Sequence, residues 1–371
     1  MTETADNIVG PRSTNEIVGH QPAERTFMEA YQSERLHHAW LITGPKGVGK
    51  ATLAWKFAKF LLTQREADDG GGMFDQGARE PGEAPALSYD VNSADVKRIE
   101  AGGHGGLLPV ERTENEKTGK LRNDIVIGDI RRVNYFFSQT SAEGGWRVAI
   151  IDAADEMNRN AANALLKILE EPPEKSILFL IAHAPGKLLP TIKSRCRALK
   201  LNALPEAGVQ AVLAARFPDL GTEELLALAR LSDGAPGRAI ELHLQGGIAI
   251  YRQMGALIAD MPRLNIPEVH KLAVQLGPVK SDVQYHLFIQ IFQSWLERLI
   301  RQNATNTPVA DIMDGEGAQI TRISALAGVD RWLDLWEKVG KLVARADAVN
   351  LDRKQVVVWL FTSLSTVARG Q

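Results

Sequence analysis

Apolar residues in the first two hundred positions come in short unbroken runs separated by stretches of helical spacing. Ala39–Thr43, Trp146–Ile151, Ile177–Ala182 and Ala198–Leu201 are runs of four to six residues, the length and texture of strands buried on both faces. Between them, Leu53, Phe57, Phe60 and Leu61 share one helical face, and so do Ile130, Val133 and Phe137. Ala162, Leu165, Leu166 and Leu169 line a helix over 159–171 that Pro172-Pro173 stops. A further helix is predicted over 25–36, and Asp129 is the expected N-cap of a helix running to Ser138. Leu107–Arg112 and Leu121–Ile127 read as strands flanking a charged tip at 113–120. Strands alternating with helices predict a parallel sheet covered on both faces.

From Pro205 onward the pattern is helical throughout. A small unit over 205–245 carries a glycine-rich break at Gly234–Gly237, and longer helices follow over about 249–260, 267–276, 281–302, 320–347 (interrupted) and 351–368. Trp295, Trp332, Trp336 and Trp359 fall on apolar faces and are expected in the core. The resulting partition is a flexible N-terminus over 1–15, an α/β domain over 16–203, a small helical domain over 204–247 and an all-α domain over 248–371. Within the α/β domain, 64–124 stands out as an insertion, and its glycine-rich stretch 64–88 reads as mobile.

Composition narrows the class without choosing a function. The 371 residues are 44% apolar and 24% charged with a formal net charge of -2, an ordinary globular balance that demands neither nucleic acid nor an anionic membrane. Cys196 is the single cysteine, so no internal disulfide and no cysteine-based zinc site is expected, in keeping with a reducing cytoplasm. The acidic start Met1–Asn7 lacks the character of a secretory signal. No apolar run approaches the roughly 18 residues of a membrane span.

The chemistry concentrates in Gly44-Pro45-Lys46-Gly47-Val48-Gly49-Lys50-Ala51-Thr52, a G-x-x-x-x-G-K loop between a predicted strand and a predicted helix. Backbone N–H groups around Gly47 and Gly49, the helix N-terminus and Lys50 form a phosphate cradle. Ala51 stands where this motif carries the hydroxyl that holds magnesium. Thr52 belongs to the same site but cannot replace it, because one step along a helix turns the side chain by about 100°. Asp152 closes the run Val148–Ile151, where a phosphate-loop ATPase places its second magnesium contact. Asp155 and Glu156 lie too far along to take over water activation. The expected ligand is ATP or ADP, held weakly or without turnover, at Gly44, Gly47, Gly49, Lys50, Thr52 and Asp152.

Asn160–Pro173, with its core Ala164-Leu165-Leu166-Lys167-Ile168-Leu169-Glu170-Glu171-Pro172-Pro173, and Ser194-Arg195-Cys196 after Leu188-Leu189-Pro190-Thr191-Ile192 are similar to bacterial clamp-loader subunits of the AAA+ ATPase class. The resemblance is strongest over 16–62 and 124–202. It implies an AAA+ α/β domain, a helical lid and a helical collar that closes a pentamer. In hydrolytic members a glutamate follows the strand-end aspartate; here that residue is Ala153. By resemblance, Arg195 is an arginine finger offered in trans to a neighbouring motor subunit. The implied partners are the gamma/tau motor subunits and a delta subunit, with the sliding clamp and primer-template DNA reached through the complex. The four-cysteine zinc module of many relatives is absent, with 64–124 in its place. Gly237 falls where motor subunits carry a phosphate-sensing arginine, with Arg238 one step off, and His183 stands at the polar sensor position, where it reads as a strand-end residue.

Two principal readings follow. One is a non-catalytic subunit that braces a clamp loader of DNA polymerase III, with little or no ATPase and no polymerase activity of its own. The other is a working AAA+ ATPase, a motor subunit or a related remodelling enzyme, against which Ala51 and Ala153 both argue. A small-molecule kinase on the same loop is a third, without a visible acceptor pocket.

Overall fold

A computed structural model describes residues 10–64, 87–115, 119, 121–139, 145–278, 281–349 and 351–370. The chain divides into two compact units, Met1–Leu204 and Pro205–Gln371. In the first, the order is α1 (Gln21–Gln32), β1 (Ala39–Thr43), α2 (Lys50–Thr63), α3 (Ala94–Ala101), β2 (Leu107–Val110), α4 (Ile127–Ser138), β3 (Arg147–Asp152), α5 (Arg159–Glu170), β4 (Ser176–Ala182), α6 (Pro190–Lys193) and β5 (Arg197–Lys200). The five strands are parallel in the order β2-β3-β4-β1-β5.

Strand side chains alternate between two cores, as a pleat of period two requires. Trp40, Ile42, Val148, Ile150, Ile177, Phe179 and Ile181 face α1, α2 and α3, meeting Phe27, Phe57 and Ile99. Ala39, Leu41, Ala149, Ile151, Leu178 and Leu180 face α4 and α5, meeting Ile130, Val133, Leu165 and Leu169. With both faces covered, the functional groups are left to the two ends of the sheet.

Several local expectations need correction. The first helix spans 21–32 rather than 25–36, because Pro22 is tolerated in its first turn and Glu34 takes a positive φ of 54° just past its end. Asp129 does not precede α4 but sits in its first turn, where its carboxylate accepts the Val126 N–H at 3.0 Å. The 121–127 segment is not a strand. Leu121 makes a single bridge to Glu114 and Ile125 one to Met157, and Asn123 falls where the alternation needs an apolar residue.

The 64–124 insertion is largely built into the domain. Its glycine-rich portion 65–86 and the lead 1–9 lie outside the described residues, but 87–115 supply α3 and the edge strand β2, with Leu87, Val96 and Ile99 buried. Residues 10–15, expected to be flexible, are tied to this region. Arg12 Nε donates to the Ile99 carbonyl at 2.7 Å. The fully buried Lys59 ammonium binds Asn15 Oδ1 at 2.6 Å and Glu100 Oε1 at 2.7 Å.

The second unit is all helical: α7 (Glu206–Arg216), α8 (Thr222–Leu231), α9 (Pro236–Leu244), α10 (Gly247–Ile258), α11 (Ile266–Leu276), α12 (Asp282–Thr305), α13 (Glu316–Ser324), α14 (Val329–Val349) and α15 (Arg353–Ala368). Phe288 and Phe292 of α12 pack on Phe361 of α15 with ring centroids 6.1 and 5.9 Å apart. The interruption expected in 320–347 is the turn at Gly328, where the buried Trp332 Nε1 donates to the Ser324 and Ala327 carbonyls, both at 3.1 Å. Trp295 and Trp332 are core residues, whereas Trp336 is exposed on the outer side of α14, its Nε1 donating to Glu297 at 3.3 Å. Among the described residues no helix is long and apolar enough to cross a membrane.

Candidate functional site

The glycine loop leaves the C-terminal end of β1 and enters α2 at Lys50. Gly44, Gly47 and Gly49 have φ values of 147°, 82° and 108°, a region that side-chain-bearing residues rarely adopt. At Gly44 the requirement is also spatial: a Cβ would stand 2.5 Å from the Leu201 carbonyl oxygen. The loop rests on the buried His20, whose Nε2 lies 2.8 Å from the Val48 carbonyl oxygen.

Lys50 is buried and its ammonium donates to the Gly44 and Pro45 carbonyls, both at 2.7 Å. Burial pushes its pKa down to about 8, with Asp152 and Asp155 opposing that shift and Lys46 adding to it. The cation thus holds its own loop closed, in a place where a phosphate could take over its hydrogen bonds. The donor set fits phosphate: backbone N–H groups at a helix start beside a lysine. It fits a metal-bound nucleotide less well. Ala51 offers only a methyl group packed on the core, and Thr52 is the next residue round the first turn of α2.

Asp152 ends β3 beside this loop and is close enough to Lys50 to be coupled to it. Burial raises its carboxyl to about 6, helped by Glu111, Glu156 and Asp155 and opposed by Lys50. Ala153 is 3% exposed, so a glutamate there would have to bury its carboxylate or displace its surroundings. Asp155, outside the predicted site set, accepts the N–H groups of His183 and Ala184 at 2.9 and 2.8 Å. Burial alone would raise its pKa, but these two donors, together with its own backbone N–H and the charge of His183, hold it below the usual carboxylate value. Glu156 is paired to Arg112 at 2.9 Å. His183 does follow the end of β4, and its buried Nδ1 has no hydrogen-bond partner among the described residues. Burial, Lys50 and Lys46 lower its pKa against the pull of Asp155.

Gly44, Gly47, Gly49, Lys50, Thr52 and Asp152 therefore gather at the C-terminal end of the sheet, while Arg195 does not join them. It precedes β5, whose Arg197 is in register with Trp40 of β1. From Trp40 to Gly44 the chain advances about 13 Å along the strand direction. Arg195 thus lies at the opposite end of the sheet from the loop. Its Nη1 donates to the Thr191 carbonyl at 3.1 Å and its Nη2 pairs with Glu170 Oε1 at 2.9 Å. The arginine side chain is 37% exposed. In the second unit, Arg238 Nη1 pairs with Asp233 at 3.1 Å.

Sequence reasoning missed His20, Asp155 and Glu170. Glu170 belongs to a recognisable motif, so a signal was present there. No periodicity or spacing marks His20 as the support of the loop.

Comparison with known proteins bears on this arrangement. The family model described as DNA polymerase III, delta subunit, matches residues 19–205. The chain is 35% identical over 272 residues to DNA polymerase III subunit delta' of Pseudomonas aeruginosa, covering 72% of this chain and 73% of that protein. It is 32% identical over 222 residues to the subunit delta' of Escherichia coli, covering 60% and 59%. It is 31% identical over 205 residues to DNA polymerase III subunit gamma/tau of Mycobacterium bovis, covering 55% of this chain and 31% of that protein.

Proposed function

The chain belongs to the delta-prime family of DNA polymerase III subunits, and from that membership we propose that it is the non-catalytic brace of a clamp loader. In this reading it helps place the sliding clamp on primed DNA, holds gamma/tau motor subunits in register together with a delta subunit, and lends Arg195 to a neighbour's nucleotide site. The observation that carries the reading is the separation of the two ends of the sheet. Arg195 is half-exposed at the end away from its own loop, so a nucleotide phosphate that it meets belongs to another molecule. A guanidinium that approaches a transferring phosphoryl group from a neighbouring chain stabilises the developing charge and is worth about 10³–10⁵ in rate.

At the other end, the three glycines and Lys50 would hold the phosphates of ADP or ATP. Such a nucleotide would act as a structural ligand, since a methyl group stands at each of the two positions, Ala51 and Ala153, that hydrolysis needs. The test is ATP turnover by a complex reconstituted with the delta, gamma/tau and sliding-clamp partners on primed DNA. Arg195→Ala lowers turnover at least tenfold while the complex still assembles, and the isolated wild-type chain shows negligible turnover. Unchanged turnover in the Arg195→Ala complex reduces Arg195 to surface charge. Brisk hydrolysis by the isolated chain restores the working-ATPase reading.

A further inference from the structure

We infer that Glu170 is a positioning residue for Arg195, an inference that rests on the trans-arginine reading above. Two acceptors hold the one planar guanidinium. Glu170 Oε1 takes Nη2 at 2.9 Å and the Thr191 carbonyl takes Nη1 at 3.1 Å. Different nitrogens of the fork are engaged, so the direction of the plane is set as well as its location.

The two acceptors come from separately anchored elements. Glu170 is the last residue of α5, which is pinned to the sheet by Leu165, Ile168 and Leu169, all buried. His38 Nε2 lies 3.1 Å from the Leu169 carbonyl oxygen and fixes that last turn to the start of β1. Thr191 lies in the short α6, pinned by the fully buried Ile192. Arg195 itself follows α6, ahead of β5. A long side chain with many rotamers is thereby confined while its remaining N–H groups stay available to a neighbour.

An unheld arginine at this site spends part of its time in rotamers that point elsewhere, so Glu170 acts by raising the fraction of Arg195 that is presented. The pair is half-exposed, and an ion pair of that kind converts to a factor of about two to five in a population.

The experiment is a double-mutant cycle in the reconstituted, DNA-stimulated complex, reading kcat and KM for ATP, with assembly followed by size-exclusion chromatography. Glu170→Ala lowers kcat about two- to fivefold, leaves KM and assembly unchanged, and causes no further loss when Arg195 is already alanine. Glu170→Asp recovers part of the loss. If Glu170→Ala leaves kcat intact or raises it, the contact is incidental or a latch, and the positioning role is overturned. A loss of equal size in the Arg195→Ala background overturns it too, because Glu170 then acts elsewhere. If Arg195→Ala alone has no effect, the trans-arginine reading fails and this inference fails with it. A loss with Arg195→Ala but none with Glu170→Ala rejects only the positioning.

Discussion

Asp152→Asn is expected to stabilise the protein at neutral pH, by an amount that depends on pH in a defined way. The Asp152 carboxyl is buried at the end of β3 among Glu111, Asp155 and Glu156, with Lys50 opposing them, and it titrates near 6 rather than 3.8. In the unfolded chain the group returns to its ordinary value. Between these two values the folded state keeps a proton that the unfolded state has released, so stability falls as pH rises through that window. The penalty is absent below the unfolded value and complete above about 6. At about 1.4 kcal/mol per unit, a shift of this size corresponds to about 2–3 kcal/mol. Asparagine keeps the shape and removes the charge. Urea unfolding of both proteins, followed by circular dichroism and tryptophan fluorescence, should show the variant more stable by about 2 kcal/mol at pH 8, with the gain shrinking to nearly nothing at pH 4. A gain that is the same at both pH values, or a variant less stable than wild type at pH 8, would refute this account of the site's electrostatics.

Two further outcomes follow from neighbouring groups. Lys50 loses its proton near pH 8, and its help to a phosphate is present below that value and lost above it. Affinity for ADP, measured by calorimetry, should therefore fall roughly tenfold from pH 7 to pH 9, with a much flatter profile in Lys50→Met; an equally steep profile in the variant, or no binding by the wild type at any pH, would count against Lys50 as a phosphate ligand. Lys59→Ala leaves Glu100 and Asn15 without their cation and should cost about 1–3 kcal/mol, below the range for fully buried pairs because Glu100 keeps some solvent contact. Limited trypsin digestion should then cut at Arg12 sooner than in wild type; unchanged stability and digestion would show that the lead is held by other contacts.

Much of the first unit is legible along the chain because its signals are local. The runs at 39–43, 147–152 and 176–182 form the three inner strands β1, β3 and β4, since a strand buried on both faces is apolar along nearly its whole length, whereas the fourth, at 197–200, forms the edge strand β5, in which only Leu199 is buried. The glycine loop is equally local: three positive φ values and a lysine follow one another in the sequence. Within the 64–124 stretch the strand at Leu107–Val110 was legible, but the glycine-rich part drew attention from Val96 and Ile99, too few apolar residues to read as a helix until they are laid on a core that α2 and β3 already provide. Trp336 misled for the converse reason. Its spacing suits a buried face, but α14 carries apolar residues on more of its surface than its neighbours cover.

By itself, the order of residues determined the alternation of strand and helix, the glycine loop with its lysine, and the alanines at positions 51 and 153. These depend on neighbours within a few positions, and backbone geometry translates them directly. Only the tertiary structure decided that Lys50 turns back on its own loop, that Asp155 holds the turn after β4, and that Arg195 stands at the far end of the sheet in the grip of Glu170. Those facts depend on strand order and on which ends of parallel strands lie side by side, and groups as far apart in the chain as Lys50 and Asp152 meet only when the sheet closes around its two cores.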